Sequence, residues 1–241
     1  MAPLFLALSP VTVLAGSYLT ISFGWTVAKQ TLLAVYLQTP KELGGYGFSP
    51  EGNAWFTFSN WLGVIAAQIY AMLLNDRLPL WVCRHYGSGL WKPEYRLHSS
   101  LWIPTVLVQP IGLGIFGACL QYHLHYMLLA FASFLITFSG VTSAPVMINY
   151  VVETFRHLPN ETAAVMSFYR VALGIAVPFF ITPWFKAVGT GWVFGTMAFF
   201  TLLADCFVMV LLKYGHTLRE YSLIRKHDSE EGVRVVEQGE L

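Results

Sequence analysis

The chain alternates between long apolar stretches and short polar breaks, and most of the stretches are too long to be core helices of a soluble domain. Six of them can cross roughly 30 Å of hydrocarbon at about 1.5 Å per residue. They run over Leu8 to Ala28, with room to extend to Leu37, then Ala54 to Leu74, Leu101 to Leu120, Tyr126 to Val151, Ala163 to Trp184 and Trp192 to Leu212. The breaks carry turn chemistry: Thr39-Pro40 with Gly44-Gly45-Tyr46-Gly47, the long Asn75 to Ser100 segment, Gln121 to His125, Arg156 to Asn160, and Gly189 to Gly191. The pattern predicts an all-α polytopic membrane protein, a six-transmembrane-helix bundle over residues 1–213. A cytoplasmic polar tail over residues 214–241 follows, and its acidic end from Asp228 through Glu240 is expected to be disordered.

Composition agrees. The 241 residues are 56% hydrophobic and only 11% charged, with a mean hydropathy of +0.57, so lipid is the expected solvent for most of the chain. A net charge of +1, with no basic cluster interleaved with aromatics, points away from a nucleic-acid partner. Cys83, Cys119 and Cys206 lie far apart and form no C-x-x-C pair, and His123 with His125 lacks a third ligand, so neither a redox pair nor a metal site is expected. Met1 to Pro10 carries no Lys or Arg. The basic region of a secretory signal is therefore absent, and the first apolar run is expected to stay as a helix.

Loop charges set an orientation. Arg77, Arg84, Lys92, Arg96, Arg156, Lys213, Arg219, Arg225, Lys226 and Arg234 fall on one side, against Lys41 and Lys186 on the other. The positive-inside rule then places both termini in the cytoplasm. Lys29 and Arg170 fall inside or at the ends of spans.

Two motif matches are declined. Gly112-Leu113-Gly114-Ile115-Phe116-Gly117 fits G-x-G-x-x-G, but it sits inside an apolar span with no preceding strand, so its small residues are assigned to helix packing. Asn160-Glu161-Thr162 lies on the side assigned to the cytoplasm and is expected to stay unmodified. No G-x-S-x-G, H-E-x-x-H or P-loop is present, so no catalytic residues and no cofactor are proposed.

Polar residues inside spans fall on faces. In the fourth span Ser139, Thr142, Ser143, Asn149, Tyr150 and Glu153 recur at helical spacing, and in the first Tyr18, Ser22, Trp25 and Lys29 do so with Gln30 beside them. The fifth carries Ser167, Arg170, Gly174 and Pro178, the second Asn60 and Gln68, and the third and sixth are bland apart from Gln109 and Asp205. Facing lipid is unfavourable for such groups, so a cavity lined by spans one, two, four and five is expected, with three and six outside. Each Ser, Thr or Asn alone is equally an interhelical hydrogen-bonding group. Asp205 stays open between a neutral or paired buried acid and a functional one.

The residues then resemble a family. Gly45-Tyr46-Gly47-Phe48-Ser49-Pro50, Asn75-Asp76-Arg77, Pro93-Glu94-Tyr95-Arg96-Leu97, Tyr169-Arg170 with Gly174, and Val188-Gly189-Thr190-Gly191-Trp192 resemble the C-terminal half of the major facilitator superfamily, in particular fungal drug:proton antiporter-like carriers. That family's loop pattern G-x-x-x-D-R-x-G-R-R/K survives here as Asp76 and Arg77, with Met72, Pro79 and Leu80 at the other positions. The resemblance implies twelve helices in two six-helix bundles, alternating access by rocking, and a latching role for Asp76 and Arg77.

The reading is a half, or a truncated form, of a secondary carrier for a small organic solute or drug, proton-coupled by resemblance. It sits in a plasma or vacuolar membrane, contacts lipid, and needs an N-terminal half or self-association. Trp25, Gln30, Asn60, Gln68, Asn149 and Tyr150 are expected to line the substrate cavity. Glu153 and Arg170 are expected to couple or to form an ion pair, and Asp76 and Arg77 to form the cytoplasmic gate loop. A non-transporting scaffold and an intramembrane enzyme are the alternatives.

Overall fold

The computed structural model describes residues 2–40, 42, 45–75, 77–85, 93–98 and 107–220, and among them no strand occurs. A short helix α1 (Ala2–Leu8) is followed by α2 (Pro10–Gln38). The sequence pattern began the first span at Leu8, but Leu8 ends α1 and the chain breaks at Ser9. Pro10 locks its own φ, offers no N–H, and pushes the preceding residue to extended backbone, here φ −59° and ψ 135°.

The chain leaves α2 at Thr39 and re-enters a helix at α3 (Pro50–Tyr70), where the Ser49 hydroxyl accepts from Gly52 N–H at 3.1 Å and Glu51 sits in the first turn. That is a favourable N-terminus: a capping hydroxyl, proline at the first helical position and an acid against the dipole. The helix continues through a π-helical turn, Ala71–Asn75, toward the amphipathic α4 (Arg77–His85). A 3-10 turn, Pro93–Arg96, precedes α5 (Gln109–Gln121), and α6 (Tyr126–Thr154), α7 (Pro159–Val188) and α8 (Thr190–Glu220) complete the bundle.

Among the described residues five helical segments, Pro10–Gln38, Pro50–His85, Tyr126–Thr154, Pro159–Val188 and Thr190–Leu218, are long and apolar enough to cross a membrane. The third predicted span is represented by the 13 residues of α5, and its start at Leu101 lies outside the described residues. The last helix runs past the predicted boundary at Leu212, into the segment read as a tail, as far as Glu220.

The bundle packs with α2 against α7 and α8, α3 against α6, and α5 against both α6 and α8. Small residues let α2 and α7 approach closely. A Cβ at Gly16 would meet the Tyr169 ring at 2.5 Å and one at Gly24 would meet Leu173 at 2.5 Å, while Thr20 Oγ1, between them, donates to the Tyr169 carbonyl at 2.6 Å. Without water to drive association, such close approach is how helices gain contact energy in lipid. The G-x-G-x-x-G run does the same: Gly112 packs on Ile136 of α6 and Gly117 on Phe194 of α8, in line with the packing assignment.

Two buried apolar clusters fill the two ends of the bundle. One gathers Trp25, Leu33, Phe116, Ile136, Ile181 and Phe194 at the end where α2 joins α3, and the other gathers Ala15, Tyr18, Leu97, Met147, Tyr150 and Val208 at the opposite end. Buried polar groups (Ser22, Gln109, Ser139, Thr142, Ser143 and Thr201) collect where the two meet.

Candidate functional site

Among the described residues, Lys29 is the centre of the most connected polar site. It lies nineteen residues into α2, and its side chain is 1% exposed. Its Nζ donates to Asn60 Oδ1 at 3.0 Å, Thr137 Oγ1 at 3.1 Å and Ser133 Oγ at 3.2 Å, with Gln30 Oε1 farther off at 3.4 Å. The hydroxyls are turned to receive a cation. Ser133 donates its proton to Asn60 Oδ1 at 2.8 Å, and Thr137 can donate to the Ser133 carbonyl at 2.9 Å, which leaves lone pairs directed at Nζ. Asn60 Nδ2 donates to Gln30 Oε1 at 3.3 Å. Three helices, α2, α3 and α6, therefore converge on one amine through neutral oxygens alone, and no carboxylate is recorded at Nζ among the described residues.

The helices make this inevitable once packed. Ser133 and Thr137 are one turn apart and share a face of α6. A Cβ at Gly63, one turn beyond Asn60, would meet the Phe134 carbonyl at 2.9 Å and Thr137 Cβ at 3.2 Å, so its bare backbone brings α3 close enough for Asn60 to reach the pair. Gln30 is exposed and Asn60 is half-buried, so the site opens on one side.

A second polar junction lies deeper. Ser22 Oγ donates to Gln109 Oε1 at 2.8 Å and Gln109 Nε2 donates to the Ser22 carbonyl at 3.0 Å, a reciprocal pair that satisfies a fully buried amide and ties α5 to α2. Asp205 is 2% exposed, and both of its carboxylate oxygens lack a hydrogen-bond partner among the described residues.

The predicted site residues separate. Gln30 and Asn60 join the Lys29 cluster, whereas Gln68 and Asn149 are exposed away from it. Trp25, expected to stack on solute, is 6% exposed inside an aromatic cluster, 6.3 Å from the Trp184 ring and 6.2 Å from Phe200, and is a core residue. Tyr150 is fully buried, with Gly215 placed so that a Cβ there would lie 2.8 Å from its hydroxyl and 3.2 Å from Glu94 Oε1. The fourth-span stripe is a correction as a whole. Ser139, Thr142 and Ser143 are buried between helices with Tyr150, and Asn149 stands exposed. In α6, a long central helix, one polar face meets protein because other helices cover it.

The expected Glu153–Arg170 pair is also corrected. Glu153 Oε1 is held by Arg96, from Nε at 2.7 Å and Nη2 at 2.6 Å, and Arg170 places its guanidinium 4.5 Å from the centre of the Phe23 ring. The reason is topological. The Pro93–Arg96 turn docks on the end of α6, while α7 packs along α2. Of the gate pair, Asp76 lies outside the described residues. Arg77 opens α4 and lines a cleft of about 940 Å³ with Leu73, Leu78, Trp81, Tyr95 and His98, whose imidazole burial holds below its ordinary range.

Lys29 was read on the polar face of the first span but not among the cavity-lining residues, and Ser133 and Thr137 were not singled out by the sequence. Lys29 carried a signal as a cation on the polar face of an apolar span. Ser133 and Thr137 lie off the stripe that begins at Ser139, and only packing shows that they matter.

The chain is 27% identical over 226 residues to quinidine resistance protein 3 of Saccharomyces cerevisiae, covering 93% of this chain and 32% of that protein. It is 23% identical to the MFS-type transporter atr4 of Stereocaulon alpinum, over 90% of this chain and 38% of the relative, and 23% identical to the major facilitator-type transporter sorT of Penicillium rubens, over 90% and 40%. The chain thus spans about a third to two-fifths of the length of these relatives. No family model matches it, and no solved structure matches it. Over most of its length the chain is similar to fungal proteins named as transporters of the major facilitator type.

Proposed function

We propose that this chain is a bundle of a secondary transporter for a small organic solute, with the Lys29 cluster as its solute-facing polar centre. The observation that carries the reading is a lysine held in the interior of an apolar bundle by oxygens from three helices, with one exposed partner, Gln30. Ionisable groups within spans are unfavourable in hydrocarbon and mark solute or ion pathways when they face a wet cavity. The relatives named as transporters supply the class.

The architecture of the reading follows from the resemblance: a C-terminal six-helix half that works against a second bundle, from an N-terminal half or another copy, around a shared site. Both termini are cytoplasmic in this reading. Arg77, with Asp76, acts at the inward-facing gate, in a plasma or vacuolar membrane. Proton coupling belongs to the same proposal, with Glu153 and Arg170 as ionisable candidates, the former in its pair with Arg96.

Solvent access tests it. With Cys83, Cys119 and Cys206 replaced by serine, single cysteines at Gln30, Gln68, Asn149 and the apolar Phe199 are exposed to a membrane-impermeant maleimide in native membranes. The transport reading expects labelling at Gln30→Cys and none at Phe199→Cys. Equal resistance at both positions rejects a water-filled site and leaves a scaffold.

A further inference from the structure

The weakest links of the Lys29 cluster all involve Gln30. Lys29 Nζ reaches Gln30 Oε1 at 3.4 Å and Asn60 Nδ2 reaches the same oxygen at 3.3 Å, whereas the bonds to Asn60 Oδ1, Ser133 and Thr137 lie between 3.0 and 3.2 Å. Two donors, one a primary amine and the other an amide, thus converge on a single neutral oxygen carried by an exposed and rotatable side chain. We propose that the position held by Gln30 Oε1 is a binding site for the carboxylate of a monoanionic organic solute, for which the Gln30 amide is a stand-in. The inference rests on the transport reading only in requiring that the site opens to water.

The chemistry favours an anion there. An ammonium has three donors, and Asn60 Oδ1, Ser133 Oγ and Thr137 Oγ1 accept all three. In its protonated form Lys29 therefore has its hydrogen bonding satisfied but not its charge, because every acceptor is neutral. A buried charge is normally paired, and charge-assisted bonds to a carboxylate are shorter and roughly twice as strong as neutral ones. No residue among those described supplies that carboxylate. If Gln30 rotates outward, a carboxylate oxygen can take its place, accept from Asn60 Nδ2, share the Lys29 Nζ proton now directed at the Ser133 hydroxyl, and bring the missing charge.

The surroundings describe the rest of the solute. On the face of α2 that carries Gln30, the positions one and two turns before are Val27 and Phe23 and the position one turn after is Ala34. Phe23 and Val27 are half-buried, Phe23 under the Arg170 guanidinium at 4.5 Å and both against Gly174 of α7, and Ala34 is exposed, so an apolar body would lie along the edge of this row that α7 leaves open. A compact aryl or alkyl monocarboxylate fits this chemistry better than a sugar or a polyamine.

The test uses the purified full chain in detergent and thermal unfolding, with benzoate, phenylacetate and naphthoate each set against its own primary amide and against chloride. Binding to the folded state raises the unfolding temperature by mass action. The expected result is a concentration-dependent rise with at least one acid and none with its amide. Gln30→Ala, which removes the competing oxygen, should strengthen that response. Asn60→Asp places an internal carboxylate at the amine, and should weaken the apparent affinity by at least about tenfold while keeping the fold.

Lys29→Met should abolish the response, and if that variant does not fold, Asn60→Asp decides. Equal responses to acid and amide, no response to any of the three acids, or an unchanged response in Asn60→Asp each overturns the proposal. Maleimide labelling at Gln30→Cys is read separately: a wet site with no preference for carboxylates rejects the anion assignment and leaves the transport reading standing.

Discussion

Arg96 and Glu153, 57 residues apart in the chain, meet through two guanidinium nitrogens on one carboxylate oxygen, Nε at 2.7 Å and Nη2 at 2.6 Å. Their side chains are 20% and 22% exposed, so the pair is mostly withdrawn from solvent and lies between a weak surface bridge and a costly buried one. It fastens the turn before α5 to the end of α6. Close by, Glu94 of the same turn and Tyr150 both flank Gly215.

Arg96→Ala and Glu153→Ala should each lower the unfolding temperature in detergent, and the double variant should lose less than the sum. The expected coupling is about 0.5 to 3 kcal/mol, typical of residues in direct contact. Arg170→Ala combined with Glu153→Ala should be additive, because Arg170 rests on Phe23 instead. Coupling in the second cycle and additivity in the first would restore the pairing expected from helix depth.

Trp25 is predicted to matter for stability. Trp25→Ala should destabilise by about 3 to 5 kcal/mol, as for a buried aromatic that leaves a cavity. Trp25→Phe should be far milder, because the indole N–H has no hydrogen-bond partner among the described residues to lose. Chemical unfolding monitored by the remaining tryptophans measures both. A fully stable Trp25→Ala chain would return this residue to the solute site.

The glycines should divide by contact. Gly16→Leu and Gly24→Leu drive side chains into Tyr169 and Leu173, and overpacking of this kind costs about 1 to 3 kcal/mol or more. Gly114→Ala has nothing within 4 Å and should be neutral, or stabilising by up to about 1 kcal/mol through helix propensity. Expression level and unfolding temperature of the three variants provide the comparison.

Tyr46 provides a pH signature outside the membrane. Its hydroxyl donates to the Leu124 carbonyl at 2.8 Å and the Cys119 carbonyl at 3.2 Å, and burial, with Cys119 adding to it, pushes the phenol up to about 12. A raised pKa means that the folded state retains the proton longer than the unfolded chain does. The tie is therefore complete below about pH 10, the ordinary range for tyrosine, and is lost as pH rises toward 12. The difference in phenolate absorbance between the chain and Tyr46→Phe should show its transition near pH 12, and a difference transition near pH 10 would contradict it.

The apolar runs alone determined that this chain is a helical membrane bundle, because run length against bilayer thickness is a local, one-dimensional property. Proline, serine and glycine positions marked most boundaries for the same reason, as Ser49-Pro50 at the start of α3 illustrates. The cation at Lys29 was also visible, since its hydropathy contrast needs no neighbours. Its partners were not, because Asn60, Ser133 and Thr137 lie 31, 104 and 108 residues away, and their meeting depends on how closely Gly63 lets α3 approach α6. Helical periodicity tells which residues share a face but not which helix covers it. That choice, made by packing alone, buried Tyr150 and Trp25, gave Glu153 to Arg96, and left Gln30 as the opening onto the amine.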